Sequence, residues 1–216
     1  MFGSMTLLGI CLSLLLSCAK HTPETALRGA KAFEPQNLYP VERLPVYFNR
    51  VVVLPAFIEG NPHNLTDFID EVFSKQLSKE GIFEIVRLSE SSCMKLFGQK
   101  RLSSSQNLQE DFLSILEYET GANGVLFIDL HSFSPYRPMS IGVRSKLVDL
   151  KSGDFVWAID ETFDVGNISV LAGAQQFQGE HVFNSLSQKT KGSVSQSPRA
   201  FCHYVAHTLF KTLPRR

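Results

Sequence analysis

Three extended runs follow one another in the second half of the chain, Val125 to Phe133, Ile141 to Leu150 and Phe155 to Phe163. Only Lys151-Ser152-Gly153-Asp154, a turn sequence, separates the last two. A connection that short joins antiparallel neighbours, because a parallel pair needs a crossover of a dozen residues or more. Any fold open to this chain therefore contains an antiparallel hairpin here. Phe155, Trp157, Ile159 and Phe163 fall on one face of the third run, which marks Trp157 as a core residue.

Upstream the pattern alternates between extended and helical. Arg50 to Pro55 is a β-branched run closed by proline, the signature of a strand buried on both faces. Leu65, Phe68, Ile69, Val72, Phe73 and Leu77 recur at steps of three and four, and Gly81 follows, which predicts an amphipathic helix with a glycine stop. Phe83 to Leu88 alternates as a strand, and Ser89 caps a short helix carrying Cys93, Met94, Leu96 and Phe97. Leu108, Phe112, Ile115 and Leu116 mark another helix ending near Gly121. Ser197-Pro198 opens a last helix with the stripe Phe201, Val205, Leu209 and Leu213. The order β-α-β-α-α-β-β-β-α predicts one α/β domain over residues 50–216, a mixed sheet flanked by helices. Two segments, Gly98 to Gln106 and Val165 to Ser195, read as polar loops. Loops of that length in a compact domain tend to carry function, so both are expected to form a partner surface.

The amino end is of another kind. Met5 to Leu16 is uncharged and apolar, yet at about 1.5 Å per residue it falls well short of a roughly 30 Å hydrocarbon core. Its length suits the apolar region of a signal peptide, although Met1 to Ser17 holds no Lys or Arg. Leu15-Leu16-Ser17-Cys18 resembles the bacterial lipobox. That resemblance implies removal of residues 1–17 and acylation of Cys18. Ala19 stands where an Asp would hold such a protein in the inner membrane, so it implies the outer membrane. Residues 18–49 hold Pro23, Pro35, Pro40 and Pro45 and read as a tether or strap.

Basic and acidic residues balance at 21 each, so no basic field points to nucleic acid. With Cys11 in the leader and Cys18 acylated, Cys93 and Cys202 are left as either a disulfide or two separate buried thiols. His203 and His207 have the spacing of a two-histidine metal face, but they lie opposite the apolar stripe with no further ligand in reach of the pattern, so no metal is expected. Ser92-Cys93-Met94-Lys95 fits S-x-x-K without its partner motifs. With no catalytic set and no phosphate-binding glycine loop, neither enzyme activity nor a cofactor is expected.

VVVLPAF, KEGIFEIVRL, TGANGVLFIDL and LVDLKSGDFVWA, in that order between Arg50 and Asp164, resemble a group of bacterial envelope lipoproteins. The group includes the curli-secretion lipoprotein CsgG, the LpoB-type activators of penicillin-binding proteins and the amino-terminal domain of TolB. The resemblance implies an outer-membrane lipoprotein whose periplasmic domain binds another envelope protein, with a peptidoglycan synthase as one candidate. The alternative it carries is an oligomeric structural or secretion-channel subunit. Against a pore, Val165 to Ser195 lacks the apolar-out, polar-in alternation of membrane hairpins.

Overall fold

The computed structural model describes residues 27, 29–60, 66–184, 194 and 197–216. Cys18 and the leader lie outside them, as do most of residues 185–196. The elements run β1 (Leu38–Pro40), β2 (Arg50–Val53), β3 (Phe57–Ile58), α1 (Thr66–Lys79), β4 (Glu84–Arg87), α2 (Glu90–Phe97), α3 (Phe112–Thr120), β5 (Gly124–Ser134), β6 (Ser140–Asp149), β7 (Phe155–Asp164), α4 (Ile168–Asn184) and α5 (Pro198–Phe210). All strands join one sheet in the order β1-β7-β6-β5-β2-β4, with β3 also on β5. β2 runs parallel to β4 and β5, while β5, β6, β7 and β1 form an antiparallel meander. The α/β domain with a mixed sheet is the one the pattern predicts.

Side-chain alternation sorts the core into two layers. Val51 and Val53 of β2 point to one face, with Leu126, Ile128, Leu147, Trp157, Ile159 and Phe163, and are covered by α1, α4 and α5. Val52 and Leu54 point to the other, with Val125, Phe127 and Val148, under α2 and α3. Pro55 interrupts the hydrogen bonding after β2, and β3 resumes pairing farther along β5. Near the hairpin turn the register slips between Leu147 and Val148, so that Val156 and Trp157 both enter the first core. Gly153 supplies the turn with φ 76°.

Two open readings narrow and one expectation changes. Cys93 and Cys202 are free thiols, buried in different layers with the sheet between them, because α2 and α5 cover opposite faces. Burial pushes their thiols up to about 11 and about 12, so each stays protonated and acts as a small apolar group. Second, Ile168–Asn184 is a helix where a loop was expected. Its buried side is Val170 and Ala174, with Gly173 set against Tyr204: a Cβ there would come within 2.5 Å of the tyrosine oxygen. A face built of such small residues gives little hydrophobic contrast. Third, of the tether and strap readings, the strap holds from Phe33 onward. Phe33 packs on Phe163 at 5.1 Å, β1 pairs with β7, and Leu44 and Phe48 are buried.

Candidate partner-binding surface

α2 and α3 cover only the parallel half of their sheet face. Over the meander no described helix covers the same face, and its side chains are polar or small: Arg144 and Lys146 on β6, and Ala158, Asp160 and Thr162 on β7. An antiparallel sheet tolerates one wet face, since its backbone groups are paired within the sheet. Across the strands the residues form a row in which Asp129 pairs with Arg144 and Arg144 with Asp160. Arg144 donates from Nε to Asp160 Oδ2 at 2.7 Å. His131 reaches the other oxygen of Asp160 at 3.2 Å, and its ring lies over Gly142, where a Cβ would come within 2.2 Å of it. Tyr39 and Phe155, 59% and 49% exposed, border the row, and Lys146 Nζ sits 5.6 Å from the Phe155 ring centre.

The segment Gly98–Gln106 forms the boundary between the covered and open halves, and it is fastened at each step. Arg101 Nη2 meets Asp70 at 2.9 Å and Glu90 at 2.6 Å, and Nη1 donates to the Ala56 carbonyl. Leu102 is buried in the second core. Asp129 Oδ2 accepts from the Ser103 hydroxyl (3.0 Å), the Ser104 N–H (2.9 Å) and the Ser104 hydroxyl (2.7 Å). Lys146 donates to the Ser104 carbonyl at 3.0 Å and Arg144 to the Ser105 hydroxyl at 2.9 Å. Burial raises the Asp129 carboxyl above its usual range, and the serine bonds and Lys146 only partly oppose this. The segment read as a polar loop is a loop, and its side chains make it a fixed rim. Deleting it would remove a core leucine and a polar anchor, so point substitutions are the clean probe.

The other residues singled out from sequence stand apart from this face. Trp157 is fully buried in the opposite layer. Burial, with help from Lys79, Arg199 and Lys75, pushes His203 down to about 4, and His207 Nδ1 lies 3.0 Å from Gln76 Nε2. Among the described residues, no group of three or more His, Cys, Asp and Glu side chains could hold a metal ion. Ser92 belongs to the cap of α2, where its N–H and hydroxyl both meet Ser89 Oγ. The row Asp129, Arg144, Asp160 escaped the sequence reading, although polar residues recurring every second position in VLFIDLHSF and IGVRSKLV are the mark of a half-wet sheet.

No protein-family model matches the chain, and no curated protein matches it in sequence. Among solved structures it is similar to the hypothetical protein CT253 from Chlamydia trachomatis, at 16% identity and TM-score 0.45 over 76% of this chain and 93% of that one. It is similar also to lipoprotein GNA1162 from Neisseria meningitidis, at 19% identity and TM-score 0.41 over 64% and 99%, and to the LpoB C-terminal domain from Escherichia coli, at 18% identity and TM-score 0.38 over 55% and 85%.

Proposed function

We propose that this chain is a lipid-anchored envelope protein whose α/β domain binds another envelope protein through the open half of its sheet, without catalysing a reaction. The observation that carries the reading is a sheet face that no described helix covers. Its charges are held at fixed positions on rigid strands, with Arg144 and Asp160 about a third exposed, and two aromatic rings stand at its border. Exposed ion pairs of this kind contribute about 0–1 kcal/mol each to stability. Their ordered display is worth more for recognition, where complementary charge sets register and rejects wrong partners. Exposed aromatic rings supply the apolar contact area that interfaces favour.

Attachment rests on Cys18. No described helix is long and apolar enough to cross a membrane. Acyl chains on Cys18, each stabilising by about 0.8 kcal/mol per buried methylene, would hold the domain at the bilayer essentially permanently. On this reading the domain faces the periplasm from the outer membrane, and a peptidoglycan synthase is a candidate partner. Mass spectrometry of membrane-extracted protein tests the anchor. The expected mature chain starts at Cys18 with acyl groups attached, and Cys18→Ser is expected to block processing or to release the protein from the membrane fraction. A mature protein still carrying Met1 to Ser17, or an unmodified Cys18 in the soluble fraction, contradicts it.

A further inference from the structure

A second polar site lies away from the open sheet face, at the carboxyl ends of the parallel strands. There a cavity of about 280 Å³ is lined by Leu54, Pro55, Asp70, Ser74, Arg87, Ser89, Glu90, Arg101 and Ile128, among others. Open α/β sheets bind ligands in this crevice because successive loops diverge there, leaving backbone and helix starts turned toward one space. The volume lies just under the roughly 300–1,000 Å³ of sites that take drug-sized molecules, so a smaller ligand fits.

The charges in the cavity are balanced, and Arg87 stands apart from the other three. Arg101 lies on one side, its guanidinium already shared between Asp70 and Glu90 at 2.9 and 2.6 Å. Asp70 is fixed further by the Ala56 N–H at 2.7 Å. Glu90 uses Oε1 for Arg101, which leaves Oε2 without a hydrogen bond among the described residues. Arg87, at the end of β4, has no ion-pair partner among them. Ser74 is only 6% exposed, and its hydroxyl has no hydrogen-bond partner there either. Two carboxylates and two guanidiniums cancel, so a ligand of net charge gains little from the whole site. A dipolar one can place its cation at Glu90 Oε2 and its anion at Arg87, beside the start of α2. Val53, Leu54 and Ile128 offer an apolar wall between the two.

The geometry points to a binding site for a small zwitterion, a free amino acid with a short apolar side chain. The site lies apart from the row Asp129, Arg144 and Asp160 and meets the proposed partner surface only through Arg101, which also anchors its rim.

L-Valine is a suitable probe, titrated into the full-length chain and followed by amide chemical shifts. Its controls are isovalerate, which lacks the ammonium group, and isobutylamine, which lacks the carboxylate. Valine is expected to shift the amides of Leu88, Ser89 and Glu90 saturably, and each control to bind roughly tenfold more weakly or worse, as the loss of one charge-assisted hydrogen bond implies. Arg87→Gln should weaken valine roughly tenfold or more and Ser74→Ala roughly fivefold, with the remaining spectrum unchanged. Lys146→Gln, on the open face, should leave valine binding as it is. Failure to saturate at concentrations on the order of 10 mM, equal binding of either control, or an unchanged affinity in Arg87→Gln overturns the assignment.

Discussion

Replacing Trp157 with alanine should cost about 3–5 kcal/mol, the usual range for deleting a large aromatic side chain from a packed core. In a domain of this size that lowers the melting temperature by on the order of 10 °C. The upper part of the range is expected because two losses coincide. The ring is fully buried and packs 6.3 Å from that of Phe210, so truncation leaves a void between β7 and α5. The indole N–H also donates to Thr212 Oγ1 at 2.9 Å, tying the segment after α5 to the sheet. Next to it the Arg215 carbonyl accepts from the Leu44 N–H, so the strap is fastened to the same segment. Trp157→Phe should keep most of the packing and lose the hydrogen bond, costing about 1–2 kcal/mol. Urea denaturation of the two variants checks both figures. A cost below about 1 kcal/mol for Trp157→Ala would mean that the site collapses without a cavity.

Arg101→Ala should be the most damaging substitution among the polar residues, at about 2–3 kcal/mol near pH 7.5. Breaking a buried pair typically costs 3–5 kcal/mol, and the partial exposure of Asp70 and Glu90 lowers that figure. The cost should depend on pH. Burial already raises the Asp70 carboxyl above its usual range, opposed by the Ala56 N–H and by Arg101. Without Arg101 it rises further. A carboxyl whose folded pKa lies above its unfolded value binds more protons in the folded state, so stability is lost as pH rises through that folded pKa and is regained as pH falls. The gap between wild type and Arg101→Ala should therefore narrow on going from pH 7.5 to about pH 5. Unfolding midpoints at the two pH values decide it, and an equal gap at both would show that Asp70 is not the charge left uncompensated.

Local chemistry wrote much of this fold legibly. β-branched runs, the Gly153 turn, the Ser89 and Ser197 caps and the stripe of α5 each act over a few residues, and each appears where its pattern placed it. Elements held by distant partners were harder to read. α4 presents Val170, Gly173 and Ala174, which form a buried face only because Tyr204 lies close against Gly173. β1 is three residues ending in proline and exists only because β7 offers an edge. The sheet face that each thiol occupies follows from which side α2 and α5 cross to, and spacing says nothing about that. The same holds for the open surface: Asp129, Arg144 and Asp160 lie far apart in sequence, and strand register brings them into one row.

On the proposed reading, this row and its bordering rings recognise a partner. The direct measurement compares full-length wild type with the double substitution Arg144→Glu, Lys146→Glu, each captured from cross-linked, detergent-solubilised envelopes and quantified by mass spectrometry. Arg144 lies between Asp129 and Asp160 and Lys146 holds the rim at Ser104, so the melting temperature is expected to fall by several degrees, and capture is carried out well below the transition of either protein. At least one envelope protein enriched with wild type should fall roughly tenfold or more with the variant, since reversing charges at an interface turns attraction into repulsion. A folded variant that captures an unchanged set of proteins would contradict this reading.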